Sequence, residues 1–197
     1  MYRRYGILVC LAVLVLIGIH AGTIAQQGAG KNGDDPDQTM AAWKRLGIVD
    51  WLEKTKFGWL ISVPTPPGDQ PPLRCFSIIR MPEDGLKKMP IPKGPFGIVF
   101  FRNDNVTDAT LKELADFKQL TALSLHAARV TDAGLKALAG HKHLESLQLY
   151  NMKLSDAAMK EVAAIPNLKW LQLNWNRISD RGLEELTKLK QLQKLYL

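Results

Sequence analysis

LTALSLHAARVTDAGLKALAGHKH (residues 120–143) runs without a gap into LESLQLYNMKLSDAAMKEVAAIPN (144–167) and then into LKWLQLNWNRISDRGLEELTKLKQ (168–191). Sliding the chain against itself extends this 24-residue period upstream to Phe96 and downstream to Leu192–Leu197. Position 4 of each unit is Val99, Leu123, Leu147, Leu171 and Leu195, and position 6 is Phe101, Leu125, Leu149, Leu173 and Leu197. Position 11 is Val106, Val130, Leu154 and Ile178, followed by Thr or Ser and then by Asp108, Asp132, Asp156 and Asp180. Residues 96–197 thus comprise four full repeats and the opening strand of a fifth.

The spacing changes character inside each unit. Apolar residues at positions 4 and 6 alternate as in a short strand, whereas those at 16 and 19, such as Leu135 and Leu138, have helical spacing. Each unit therefore reads as strand, turn, helix, with the Thr/Ser-Asp pair capping the helix start and the acid favoured at the positive helix end. Strands that all run one way pair in parallel through helical crossovers. Paired strands lie about 4.8 Å apart and packed helices about 8–10 Å, so stacking the units curls the sheet inward. The expected fold is α/β: a curved solenoid with a parallel sheet on the concave side and helices on the convex side.

LxxLxL, as in LTALSL, LESLQL and LKWLQL, joined to VTDAGLKALA, resembles the leucine-rich repeat family, in the 24-residue form of ribonuclease-inhibitor-like and GALA-type repeats. The chain is similar to exported bacterial leucine-rich repeat proteins of the kind abundant in planctomycetes. The resemblance covers about half the chain and implies a binding scaffold without catalysis. One departure is visible: the family's polar ladder at position 9 holds Asp104, Ala128, Met152 and Asn176, so a continuous asparagine ladder is not expected.

Outward from the repeats, Leu73, Phe76 and Ile78 imitate positions 1, 4 and 6, and Glu83–Met89 imitates a helix shortened by Pro82, Pro90 and Pro92. Residues 38–95 read as an N-terminal α+β cap that includes this degenerate repeat. Within it, Trp43, Leu46, Val49, Trp51 and Leu52 suit the buried face of a helix starting near Asp37 or Thr39; a strand is expected over 57–63 and a Pro-rich loop over 64–72. Solenoids need such a cover on their first repeat. Residues 26–37, QQGAGKNGDDPD, cannot bury apolar surface and read as a tether rather than a phosphate loop. Residues 1–25 carry Arg3 and Arg4, an apolar run over 6–19 and small residues Thr23 and Ala25 at a cleavage site, the pattern of a secretory signal. The expected location is secreted or in the cell envelope. Its alternative is an uncleaved membrane tether through 6–25.

The chain has 26 Lys and Arg against 19 Asp and Glu, and outside the leader 24 against 19, interleaved along the length. That distribution lacks the concentrated stripe needed for a nucleic-acid partner, and none is expected. Cys10 lies in the leader and Cys75 stands alone beyond it, so no internal disulfide is expected after cleavage.

On the concave face point positions 3, 5, 7 and 8, because 4 and 6 point inward. The candidate ligand-binding residues read there are Phe100, Arg102, His126, Gln148, Tyr150, Trp170, Gln172, Asn174, Trp175 and Tyr196. Rings beside amides and cations are the material of binding hot spots, and the expected ligand is a protein or a glycan. The competing reading is that Trp170 and Trp175 cover an open end and that Phe100 packs on the cap. His141 and His143 fall in the turn before a strand, one half-buried and one solvated, without a third metal ligand. The aspartate row is better explained by helix starts than by calcium. Nothing resembles a nucleophile elbow or a catalytic carboxylate pair, so neither enzyme activity nor a cofactor or metal is expected. The strand at 192–197 would present an unpaired edge open to association with another chain, which makes an envelope-assembly role, or a recognition segment of a longer protein, the alternative to a binding scaffold.

Overall fold

The structure, a computed structural model, describes Trp43 and residues 49–51, 73–78, 81–101 and 104–197. The leader, the tether, the strand read at 57–63 and the Pro-rich loop lie outside the described residues. Among those described, seven strands form one sheet in chain order: β1 (Val49–Trp51), β2 (Arg74–Ile78), β3 (Phe96–Phe101), β4 (Leu120–His126), β5 (Ser146–Tyr150), β6 (Trp170–Gln172) and β7 (Lys194–Tyr196). Every pair from β2 onward is parallel, as one-way crossovers require. β1 is antiparallel to β2, so Val49 and Trp51 belong to a strand and not to the helical face read for them. Trp43 alone of that set is described as helical, and it is buried.

The crossovers carry α1 (Asp108–Glu113), α2 (Asp156–Val162) and α3 (Asp180–Glu185). The second unit departs from the expected α-helix: Ala133–Leu138 is a 3-10 helix throughout, and 3-10 turns also extend α1 and α3. Short tight turns of this kind suffice because packing of one apolar face, and not helix length, holds each crossover. Leu111 and Leu114, Leu135 and Leu138, and Met159 and Val162 are buried against the strand leucines at positions 4 and 6 of the later units. Removing such a leucine side chain typically costs about 2–5 kcal/mol.

The repeat does not superimpose without a gap. Register slips by one residue between Phe96 and Gly97, so Ile98 and Phe100 pair with Leu123 and Leu125 and enter the core. Val99, read as a core residue, joins Leu73, Cys75 and Ala122 in a separate small apolar cluster on the opposite face of the sheet. The physical reason is at Gly97, where a Cβ would lie 2.7 Å from the Cys75 sulfur and 3.3 Å from the Ala122 Cβ. By Val106 the 24-residue correspondence is restored, since the Val106 carbonyl accepts from the Arg129 amide.

The aspartate row does something other than cap its own helices. Asp108 Oδ1 and Oδ2 accept from the amide and hydroxyl of Thr131, one repeat onward, at 2.8 and 2.7 Å. Asp132 takes the amide of Ser155 at 3.0 Å and also its hydroxyl, and Asp156 takes those of Ser179 at 2.7 and 2.6 Å. Each carboxylate therefore bridges two units with a two-point, charge-assisted bond. Gly134 and Gly182 leave it room: a Cβ there would lie 2.0 and 2.5 Å from Asp108 Oδ1 and Asp156 Oδ1. Helix caps come instead from the hydroxyl residues: Thr107 and Thr110 form a reciprocal box, and Ser155 accepts from the Ala157 amide.

At the N-terminal end, the Trp43 ring lies 4.4 Å from that of Phe76 and 6.0 Å from that of Phe117, with Phe96 edge-on to both phenylalanines. Trp43 Nε1 donates to the Pro90 carbonyl at 2.9 Å, satisfying its polar atom. Between Pro82 and Pro90 the chain makes turns and no helix, and Glu113 anchors it by accepting from the Leu86 amide at 2.6 Å. Gly85 above that carboxylate has φ +70°, which glycine takes without strain.

The inter-repeat bridge makes a direct prediction. Asp132→Ala removes both bonds to Ser155 and should lower unfolding free energy by about 2 kcal/mol, with Asp132→Asn losing less, measured by urea unfolding. At the next junction the Ser179 hydroxyl and amide hold the Asp156 carboxyl below its ordinary value, so that bridge contributes fully above about pH 4 and is lost as pH falls below it. Asp156→Asn should flatten that acid limb.

Candidate functional site

Strand pairing sorts the sheet face into rows. One runs Val99, Ser124, Gln148, Gln172, Tyr196 and another Gly97, Ala122, Ser146, Trp170, Lys194. Along both rows the character changes from buried and apolar, through buried and polar, to open and aromatic. Ala122 and Cys75 are buried; Ser124, Ser146 and Gln148 are buried; Gln172 and Trp170 are partly open; Lys194 and Tyr196 are exposed. Ser124 donates to Gln148 Oε1 at 2.8 Å, so the glutamine carbonyl is used within the fold.

This placement corrects the candidate set. Phe100 is in the core, on the wrong side of the sheet for binding, because of the slip at Gly97. Gln148 is buried by its neighbours and hydrogen-bonded to Ser124. Arg102 lies outside the described residues. The structure pairs four of the others. His126 stacks on Tyr150 with ring centroids 4.6 Å apart and 13° between planes, and Trp170 lies 5.2 Å from Tyr196. Asn174 donates from Nδ2 to the Leu197 carbonyl. At the strand entry Lys169 pairs with Glu145 at 2.8 Å.

Trp175 stands apart, with 75% of its surface exposed. Most of the ring faces solvent. Position 8 is left-handed in three successive units, with φ of 52° at Ala127, 53° at Asn151 and 63° at Trp175. Asn tolerates that region, whereas a bulky ring there costs of order 1–2 kcal/mol.

The residue after each left-handed position turns inward. Ala128 and Met152 are buried there, and Asn176 supplies the one asparagine rung: Oδ1 accepts from the Met152 and Leu154 amides at 3.1 Å each, and Nδ2 donates to the Leu149 and Leu173 carbonyls. The ladder is thus discontinuous, as its sequence implied, yet the loop below Asn176 is fully tied.

His141 is buried, not half-buried, and it occupies position 22, where the other units bury Phe117, Ile165 and Leu189. That apolar column was the available signal. Neither ring nitrogen reaches a partner in ordinary hydrogen-bond geometry. His143 is exposed. Among the described residues no three His, Cys, Asp or Glu side chains cluster as metal ligands, and no helix is long and apolar enough to cross a membrane.

A strand-turn-helix unit stacked in register through leucine columns, with loops tied by an asparagine rung, defines a leucine-rich repeat solenoid. A family model described as Leucine Rich repeat matches residues 164–186, and the stacked units have the leucine-rich repeat fold. Curated proteins show no match to the chain. Similar solved structures include leiomodin-1 actin-binding site 2, 20% identical over 51% of this chain and 68% of that one, with a TM-score of 0.41. Two internalins of Listeria monocytogenes are also similar: InlF, 22% identical over 53% of this chain, TM-score 0.35, and InlC2, 22% identical over 50%, TM-score 0.37. This chain spans 33% and 50% of those two internalin chains.

Burial of His141, with the Lys118 charge adding to it, pulls its pKa below the ordinary histidine value. The unfolded chain therefore takes up the proton first as pH falls through about 6.5, and stability drops. His141→Leu should raise stability more at pH 5.5 than at pH 7.5, read from urea midpoints at the two pH values; an equal gain at both would remove the titration of His141 as the cause.

Proposed function

We propose that this chain is an exported, non-catalytic scaffold that binds a protein partner on the open part of its sheet face, β5 to β7 with the loops that follow β4, β5 and β6. The observation that carries this reading is the ring set on that surface: the His126–Tyr150 stack, the Trp170–Tyr196 pair and the strained, solvent-facing Trp175. Rigid aromatic side chains give large contact area at low entropic cost, and solenoid concave surfaces are extended binding platforms. Export rests on the leader pattern of residues 1–25. A glycan is the second reading, favoured by the amides of Gln172 and Asn174 beside the Trp170 and Tyr196 rings.

The test uses the intact protein as bait on an envelope fraction, followed by affinity measurement with the captured partner. Trp175→Gly should lose binding about tenfold or more while the melting temperature holds or rises, because glycine relieves the left-handed strain. Trp170→Ala should also lose binding with the fold retained. Unfolding by Trp170→Ala, together with full binding by Trp175→Gly, would return both rings to a structural role.

A further inference from the structure

The loops that follow β4, β5 and β6 share a pattern of outward, inward, outward. In each, the residue at position 9 turns inward: Ala128, Met152 and Asn176. Beyond it, position 10 is exposed and cationic in three successive units: Arg129, Lys153 and Arg177. Backbones at this level are held one strand spacing apart, since Arg129 and Arg177 donate their amides to Val106 and Leu154 of the preceding units. Three like charges thus stand in a line at intervals of about 5 Å.

Such a row carries a cost that nearby acids do not offset. Arg129 reaches Asp104 only at 3.8 Å, with both side chains more than 70% exposed, a pair of little strength. Among the described residues neither Lys153 nor Arg177 has a carboxylate within ion-pairing distance. The contrast is with Lys169 at the strand entry, which pairs with Glu145 at 2.8 Å. Lys153 moreover sits at φ 58°, so this loop holds a strained residue two positions beyond left-handed Asn151. Strain and like charge that is at most weakly paired on one crest, next to the exposed Trp175, mark a surface arranged for something absent from the chain itself.

We infer that this crest binds an acidic, extended segment of the partner polypeptide, laid across the repeats with its carboxylates on Arg129, Lys153 and Arg177 and its apolar side chains on Trp175 and Tyr150. The inference rests on the protein-binding reading of the sheet face and names the chemistry of the segment that reaches its rim. Strand-like peptide presents side chains on one face about every 6.8 Å, and the long Lys and Arg stems absorb the difference from the cation spacing. Two apolar anchors beside three cations select a polypeptide carrying both kinds of side chain, where a sulfated polysaccharide would meet the cations alone.

The test is a titration of the full chain with a synthetic peptide of alternating Glu and Leu, read by tryptophan fluorescence at low and at physiological salt. R129E/K153E/R177E should weaken binding about tenfold or more, whereas K112E/K136E/K160E, an equal charge change on an exposed row of the helix side, should weaken it less than about twofold. Thermal melts of both triple variants check that the fold is kept. Equal loss in the two triples, no binding by the native chain, or dextran sulfate binding as tightly as the peptide with the same sensitivity to the crest triple would each overturn the inference. Loss of the captured partner in Trp175→Gly with full retention in the crest triple would overturn it too while leaving the protein-binding reading intact.

Discussion

In a stack of strand-turn-helix units the two layers prefer different spacings: strands pair at about 4.8 Å and helices pack at about 8–10 Å. On the strand side a ladder of backbone hydrogen bonds enforces the register. The helix side has no such ladder, and there the aspartate bridge supplies the link, from Asp108 to Thr131, from Asp132 to Ser155 and from Asp156 to Ser179. Because each carboxylate grips both an amide and a hydroxyl, it fixes the start of the next crossover in position and in direction. Packing of the leucine columns, the short helices and the loop crests all follow from units held at both edges.

The sheet face acquires its polarity from the same stacking. At the N-terminal end the Trp43–Phe76–Phe96–Phe117 rings close the core, and Gly97 lets Cys75, Val99 and Ala122 meet on the other side of the sheet. Burial there removes that stretch from any contact with a partner. Toward β7 the side chains grow larger and open, so aromatic area gathers on the later strands. The left-handed positions before the inward residues then lift Trp175 clear of the surface. Open ring area gathers at one end, while the leucine core runs through every unit from Trp43 to Leu189.

His141 shows the limits within which a repeat tolerates deviation. Its column asks for an apolar residue, and a histidine satisfies volume without satisfying its ring nitrogens. The consequence is a core that weakens as histidine protonates, confined to one of the four units. Asn176 is the opposite case: one polar residue at an inward position ties four backbone groups of two loops, where Ala128 and Met152 merely fill space.

The 24-residue period, the leucine columns and the change from strand to helical spacing lie in the chain itself, and they sufficed for the repeat class, the parallel sheet and the crossovers, because every unit states the same pattern and errors in one are outvoted by the others. That Tyr150, Trp170, Trp175 and Tyr196 stand at least partly open on the sheet face or its loops was legible for the same reason, by column. What fell outside that reading was set by single contacts between columns. Phe100 faces the core because Gly97 must pass Cys75 and Ala122, and a slip of one residue inverts a strand. The aspartates bridge units instead of capping helices because their partners sit 23 residues away, a proximity created only by stacking. Periodicity is a local property that sequence carries in full; which side chain meets which across the stack is decided by the tertiary structure, where a single missing Cβ or a carboxylate reaching the next repeat outweighs the average pattern.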